Sequence, residues 1–135
     1  MTSASWALQQ AVFAALSADS GVQEVAGERI FDAVPRGAAF PYIVVGEATE
    51  KQTGATGGEL SEHALAIHIW SRGGGHREIK QAAEAVCEAL DGAALAPGGH
   101  SLIGLCFLSA DYSRESDGET YRAVLRFRAV TEPSG

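Results

Sequence analysis

The sequence predicts an α+β fold in which two helices pack on one face of a mainly antiparallel sheet, in the order α-β-β-β-α-β-β. Three observations predict it. A period-two alternation of apolar and polar residues runs through residues 102–116 and again through 119–130, with Asp117-Gly118 between them, the signature of a hairpin with one buried face. A helical apolar stripe occupies His76–Leu90, and shorter strand-like runs bounded by glycine and proline fill the stretch before it.

The first helix is expected over residues 5–17, where Leu8, Val12, Ala15 and Leu16 follow helical spacing and Trp6 and Phe13 widen the stripe. Asp19-Ser20-Gly21 is expected to end it, with Gly21 as the stop residue and a short connector after it. Arg29 to Val34 reads as a brief strand halted by Pro35. Residues 41–47, PYIVVGE, are apolar on both faces and suggest a central strand covered on each side. The polar, glycine-rich stretch 51–61 is expected to be a mobile loop. In residues 62–71, Leu65, Ile67 and Ile69 share one face and Ala64, Ala66, His68 and Trp70 the other.

Arg72 and three glycines break that strand and lead into the second helix. Ile79, Ala82, Ala83, Val86 and Leu90 form its apolar stripe, Arg77, Glu78, Gln81, Glu84 and Glu88 its wet side, and Gly92 its end. In the closing hairpin a two-residue type I′ turn at Asp117-Gly118 pairs Ser116 with Glu119, which sets Tyr112 opposite Ala123, Ala110 opposite Leu125 and Leu108 opposite Phe127. Those residues, with Cys106, Tyr121 and Ala129, make the expected buried face. The other face carries Arg122, Arg126 and Arg128, set against Ser113, Ser109 and Phe107. An arginine stripe on one sheet face of an otherwise acidic chain points toward assembly.

The 135 residues, 46% of them hydrophobic, fit one domain (1–135) able to bury its own core. The formal charge of −7 argues against duplex nucleic acid as the main partner, because phosphate binding needs clustered Lys and Arg. Cys87 and Cys106 are too few for a disulfide framework and read as reduced core thiols of an intracellular protein. The N-terminal run has no basic start and is interrupted by Gln9 and Gln10, so it reads as a helix rather than a signal peptide. No stretch reaches the roughly 18 apolar residues of a membrane span.

Motifs for chemistry are absent. His63 and His68 are an odd number of residues apart on one strand and project to opposite faces, while His76 and His100 flank the second helix region, so no local metal set forms. The glycines near 54–58 precede a strand and lack a following Lys-Ser/Thr pair. Gly73-Gly74-Gly75 open a helix beside Arg72 and Arg77; either an anion site or a plain strand-to-helix joint accounts for them. No nucleophile elbow occurs and neither cysteine has a histidine partner in sequence. No enzymatic activity, cofactor or metal is expected.

Taken in order, the early Trp6 helix, the IFDAVP strand, the PYIVVG strand, the polar loop, the IHIWS strand, the Ile-x-x-Ala-x-x-x-Val-x-x-Ala-Leu helix and the YRAVLRFRA hairpin form a recognisable layout from Trp6 to Ala129. It resembles the small tail-completion, or tail-terminator, proteins of long-tailed bacteriophages, a family first catalogued as a domain of unknown function. It is also similar to the neck protein of gene transfer agents. The resemblance implies a ring, usually of six copies, that caps the tail tube. The implied partners are further copies of the chain, the tail tube protein and the head-side connector, with no membrane and no direct reading of nucleic acid. Assembly in the bacterial cytoplasm and a final place in the particle neck are implied with it. Candidate interface residues are Arg122, Arg126 and Arg128 on the hairpin, with Lys51, Gln52 and Glu59 in the polar loop. Two bland accounts stand beside these: a solvated arginine face with Asp111 as diagonal partner, and a functionless glycine-rich loop. A small α+β ligand-binding or regulatory domain is the alternative function.

Overall fold

A computed structural model describes residues 3–53 and 60–134. In chain order the elements are α1 (Ala4–Ala18), α2 (Ser20–Ala26), β1 (Ile30–Phe31), β2 (Tyr42–Gln52), β3 (Ser61–Ser71), α3 (His76–Leu90), β4 (His100–Arg114) and β5 (Tyr121–Pro133). The strands form one sheet in the order β1-β2-β3-β5-β4. Only the short β1 runs parallel to its neighbour; the other pairings are antiparallel. The α+β class and the layout of helices against one sheet face follow the sequence expectation.

A third, short helix joins the two expected. Asp19 closes α1 but also starts α2, because its carboxylate accepts the Val22 N–H at 3.0 Å. The Asp-Ser-Gly stretch is therefore an N-cap rather than a stop, Gly21 lies inside α2, and Gly27 ends that helix. In α1 the buried residues are Ala4, Ala7, Leu8, Val12 and Leu16, while Trp6 and Phe13 are exposed. The expected wide stripe is thus narrower, since small Ala4 and Ala7 let the helix lie close to the sheet.

The core lies between the helices and the sheet. Leu8, Val12 and Leu16 from α1, and Ile79, Ala82, Val86 and Leu90 from α3, pack against Ile43, Ile67, Ile69, Leu125 and Phe127. In β2, Ile43 and Val45 are buried but Tyr42 and Val44 are only half-buried. The strand is covered on one face rather than two. Its second face is screened at one end by rings alone, with Tyr42 beside Phe31, Phe40 and Trp70 at centroid distances of 6.0, 5.2 and 6.5 Å.

The β4–β5 hairpin keeps half of its expected register. Tyr112 lies opposite Ala123, Ala110 opposite Leu125, and Ser113 and Ser109 opposite Arg122 and Arg126. The turn is wider than two residues: the Glu115 N–H donates to the Thr120 carbonyl at 2.7 Å and the Gly118 N–H to the Glu115 carbonyl at 3.0 Å. Asp117 does not take a positive φ, whereas Gly118 does, at 79°. The pairing axis still passes through Asp117-Gly118, so the register near the turn is unchanged although Ser116 and Glu119 do not pair.

Beyond Ser109 the register shifts by one. This bulge sets Phe107 opposite Phe127 and Cys106 opposite Arg128. Leu108 and Cys106, both expected in the core, are exposed, as is Tyr112 nearer the turn; Leu105 takes the buried position and Phe107 stacks edge-on against Phe127 at 5.7 Å. Cys87 is half-buried, and burial pushes its thiol pKa up.

Candidate assembly surface

The face of the sheet away from the helices is open, and it carries the arginine stripe. Alternation places Arg122, Arg126 and Arg128 of β5 there beside Trp70, Ala66 and Ala64 of β3. The three arginines have different surroundings. Arg122 is half-buried: its guanidinium lies 5.1 Å from the Trp70 ring centroid and donates to His68 Nδ1 at 3.1 Å. His68 in turn donates from Nε2 to Glu47 at 3.0 Å, an arrangement that fixes its tautomer, since arginine only donates and a carboxylate only accepts. The Glu47 carboxyl is held below its usual pKa, first by a bond from its own backbone N–H and next by His68.

Arg128 is exposed and donates to Glu62 at 3.0 Å; Lys51 lies 4.0 Å from the same carboxylate. The Arg128 bond holds Glu62 below the usual carboxylate range. Arg126 is exposed and makes no hydrogen bond or ion pair among the described residues. Asp111, the expected diagonal partner, makes no hydrogen bond or ion pair with any of the three among the described residues. Lys51 and Gln52 belong to the last turn-ward residues of β2 rather than to a loop, opposite Glu62 and Ser61. Glu59 lies outside the described residues, as does most of the stretch expected to be mobile.

A further cation, Arg72, ties the end of β3 to the hairpin turn. It donates to Thr120 Oγ1 at 2.9 Å and lies 3.6 Å from Asp117 and 3.4 Å from Glu119. Its guanidinium also sits 4.4 Å from the Phe40 ring centroid. Asp117 accepts from the Glu119 and Thr120 N–H groups and the Thr120 hydroxyl, which lowers its pKa to about 2. With Arg72 turned toward the turn and Glu78 in the first turn of α3 bonded to the Ser71 hydroxyl, the Gly73–75 segment is a strand-to-helix joint.

The histidines are separated as expected. His63 is buried on the helix side and bonds Thr131 Oγ1 at 2.9 Å; burial pushes its pKa down. His76 packs edge-on against Tyr121. No group of three His, Cys, Asp or Glu side chains close enough to hold a metal ion occurs among the described residues. No helix there is long and apolar enough to cross a membrane. A groove of about 390 Å³ lined by Trp6, Gln9, Gln10, Phe13, Asp32 and Val45 runs along α1, with Gln9 donating to Asp32 at 3.0 Å.

Together these features define a small α+β structural subunit whose distinctive surfaces are a charged open sheet face and long strand edges. The family profile of tail completion protein gp17 matches residues 10–132, and the chain belongs to that family. It is a phage-like structural tail protein. A chain of the solved virion of a native gene transfer agent particle is 32% identical, with a TM-score of 0.90, over 98% of this chain and 99% of that one. A second solved structure, 10% identical over 97% of this chain and 93% of its own, shares the fold at a TM-score of 0.62. No curated protein sequence matches the chain significantly.

Proposed function

We propose that the chain forms a closed homo-oligomeric ring, six copies on the family resemblance, that terminates the tail tube of a phage-like particle and joins it to the head-side connector. The observation that carries this reading is the likeness, end to end and at 32% identity, to a chain of a gene transfer agent virion. The family's tail-completion role supports a non-catalytic function and a place in the virion. A ring needs two different complementary surfaces on every subunit. The open sheet face is one candidate contact, with Arg126 and Arg128 meeting acidic groups on a neighbour or an adjoining ring and giving orientation more than raw affinity. Lys51 and Gln52 at the β2 tip, with Glu59 beyond it, are the other.

The test is electron microscopy of particles assembled without the chain, then with Arg126→Ser and Arg128→Ser together. Absence of the chain should give overlong tails or tails that never join heads. The double variant should reproduce part of that defect while unfolding like the parent. Normal necks in the complete absence of the chain overturn the reading; normal necks in the double variant remove only the arginines from it.

A further inference from the structure

We propose that neighbouring copies join edge to edge, the free end of β2 in one copy pairing antiparallel with the free end of β4 in the next, so that one sheet continues across the subunit boundary. This deepens the ring reading and rests on it. The sheet order places β1 and β2 at one border and β4 at the other. β1 pairs with β2 at Ile43 and Val44, and among the described residues no strand pairs with the outer edge of β2 from Gly46 to Gln52. On β4, Asp91 and Gly92 already occupy part of the outer edge: the Gly92 N–H donates to the Leu105 carbonyl at 2.8 Å and the Phe107 N–H to Asp91 at 2.9 Å. Residues 109–114 carry no such cover among the described residues. Two unpaired edges of similar length therefore stand at opposite borders, and such edges template strand addition.

Strand direction agrees with this pairing. β2, β3, β5 and β4 alternate in direction across the sheet, so a copy placed in the same orientation beside β4 offers its β2 antiparallel. Side-chain charge agrees as well. Glu50 lies opposite His63 and Arg114 opposite Tyr121, both on the helix side; Lys51 lies opposite Glu62 and Asp111 opposite Val124, both on the open side. In antiparallel pairing Glu50 then meets Arg114 on one face while Lys51 meets Asp111 on the other. Among the described residues Glu50, Asp111 and Arg114 have no hydrogen bond or ion pair, and Lys51 has its 4.0 Å approach to Glu62. Opposite charges directly across or diagonal in a strand pair stabilise it, and like charges destabilise it.

The experiment is charge reversal scored on assembled particles. Glu50→Arg alone and Arg114→Glu alone should each lose joined, normal-length tails, and the two together should recover them; Lys51→Asp and Asp111→Lys should behave the same way. In a background with Cys87→Ser and Cys106→Ser, Thr49→Cys with Ser113→Cys should give covalent dimers and higher ladders in particles treated with a short bismaleimide, and either cysteine alone should give none. Microscopy of the parent particle separates the two levels of the argument. A ring present in the neck, with reversal tolerated or with no pair-dependent ladder, overturns the edge pairing and leaves the ring standing. A neck without a ring of this chain overturns both.

Discussion

Truncating three neighbouring apolar residues of the hairpin should give a steeply unequal series, because the bulge in β4 decides which of them faces the core. Phe127 is 0% exposed and sits beneath α3 with Phe107 against its ring. Phe127→Ala should cost about 3–5 kcal/mol, transfer and cavity terms together. For 135 residues the entropy of unfolding is about 0.28 kcal/mol/K, so Tm should fall by about 11–18 °C. Phe107, 36% exposed, should cost about 1.5–3 kcal/mol when cut to alanine, in proportion to the area it buries. Leu108, 56% exposed, should cost about 1 kcal/mol or less. Urea unfolding at two protein concentrations measures all three while excluding any contribution from association. Uninterrupted alternation would put Leu108 in the core and Phe107 outside. A series in which Leu108→Ala costs more than Phe107→Ala would refute the bulge and every face assignment on the first half of β4.

Gly46→Ala should destabilise the chain by about 1–3 kcal/mol, since a Cβ there would lie 2.6 Å from the His68 ring and 3.0 Å from the Ala66 carbonyl; the His68 ring resonances should shift with it, and a neutral substitution would deny the close approach. Asp117 has a depressed carboxyl, so its contribution is complete above its ordinary pKa of 3.8 and should be lost as pH falls toward about 2. Asp117→Ala should remove that part of the acid sensitivity when stability is followed by circular dichroism. His63 is the opposite kind of group: buried neutral, its lowered pKa means the unfolded chain binds the proton first, so stability should begin to fall below about pH 6.5 and fall less in His63→Gln. Cys106 should react with a thiol reagent in the folded chain well before Cys87, whose burial raises its pKa; equal rates would contradict the placement of Cys106 on the outer side.

How far the sequence reveals this fold depends on how far one residue constrains the next. α3 is legible because a five-residue apolar stripe and a glycine stop agree over four turns, and the element found is the one expected. The hairpin is legible near its turn for a different reason: Asp117-Gly118 fixes the sum of paired residue numbers, which survives even though the turn contains four residues instead of two. Farther along β4, Phe107 and Leu108 are both apolar, so alternation has no contrast with which to detect an inserted residue. α2 is hidden because Asp and Gly serve both helix ends, and only the bond from Val22 to Asp19 tells which end is meant. On the open face the three arginines are legible as a row. Their partners Trp70, His68 and Glu62 lie 52, 54 and 66 residues away, and strand order alone brings them together.

That division of labour among the arginines bears on how a ring of such subunits would be held. Arg122 is tied into the Glu47–His68–Arg122 chain and stacked on Trp70, so removing it would leave buried polar atoms unpaired and perturb the sheet itself. Arg128 already satisfies Glu62, and an intersubunit acid would have to displace that bond with little net gain at an exposed site. Of the three, Arg126 makes no hydrogen bond or ion pair among the described residues, and a single exposed charge contributes too little to close a ring. The open face is therefore better suited to selecting orientation than to supplying affinity. Main-chain bonds along the β2 and β4 edges, flanked by exposed Leu108 and by charges of opposite sign on each face, offer a more continuous source. The two contributions separate experimentally. Salt should weaken the effect of Arg126→Ser on neck formation by screening it, while Ala110→Pro, which removes an N–H that ladder alternation turns to the outer edge, should block closure at every salt concentration. Equal salt dependence of the two variants would place the binding energy in the arginine face after all.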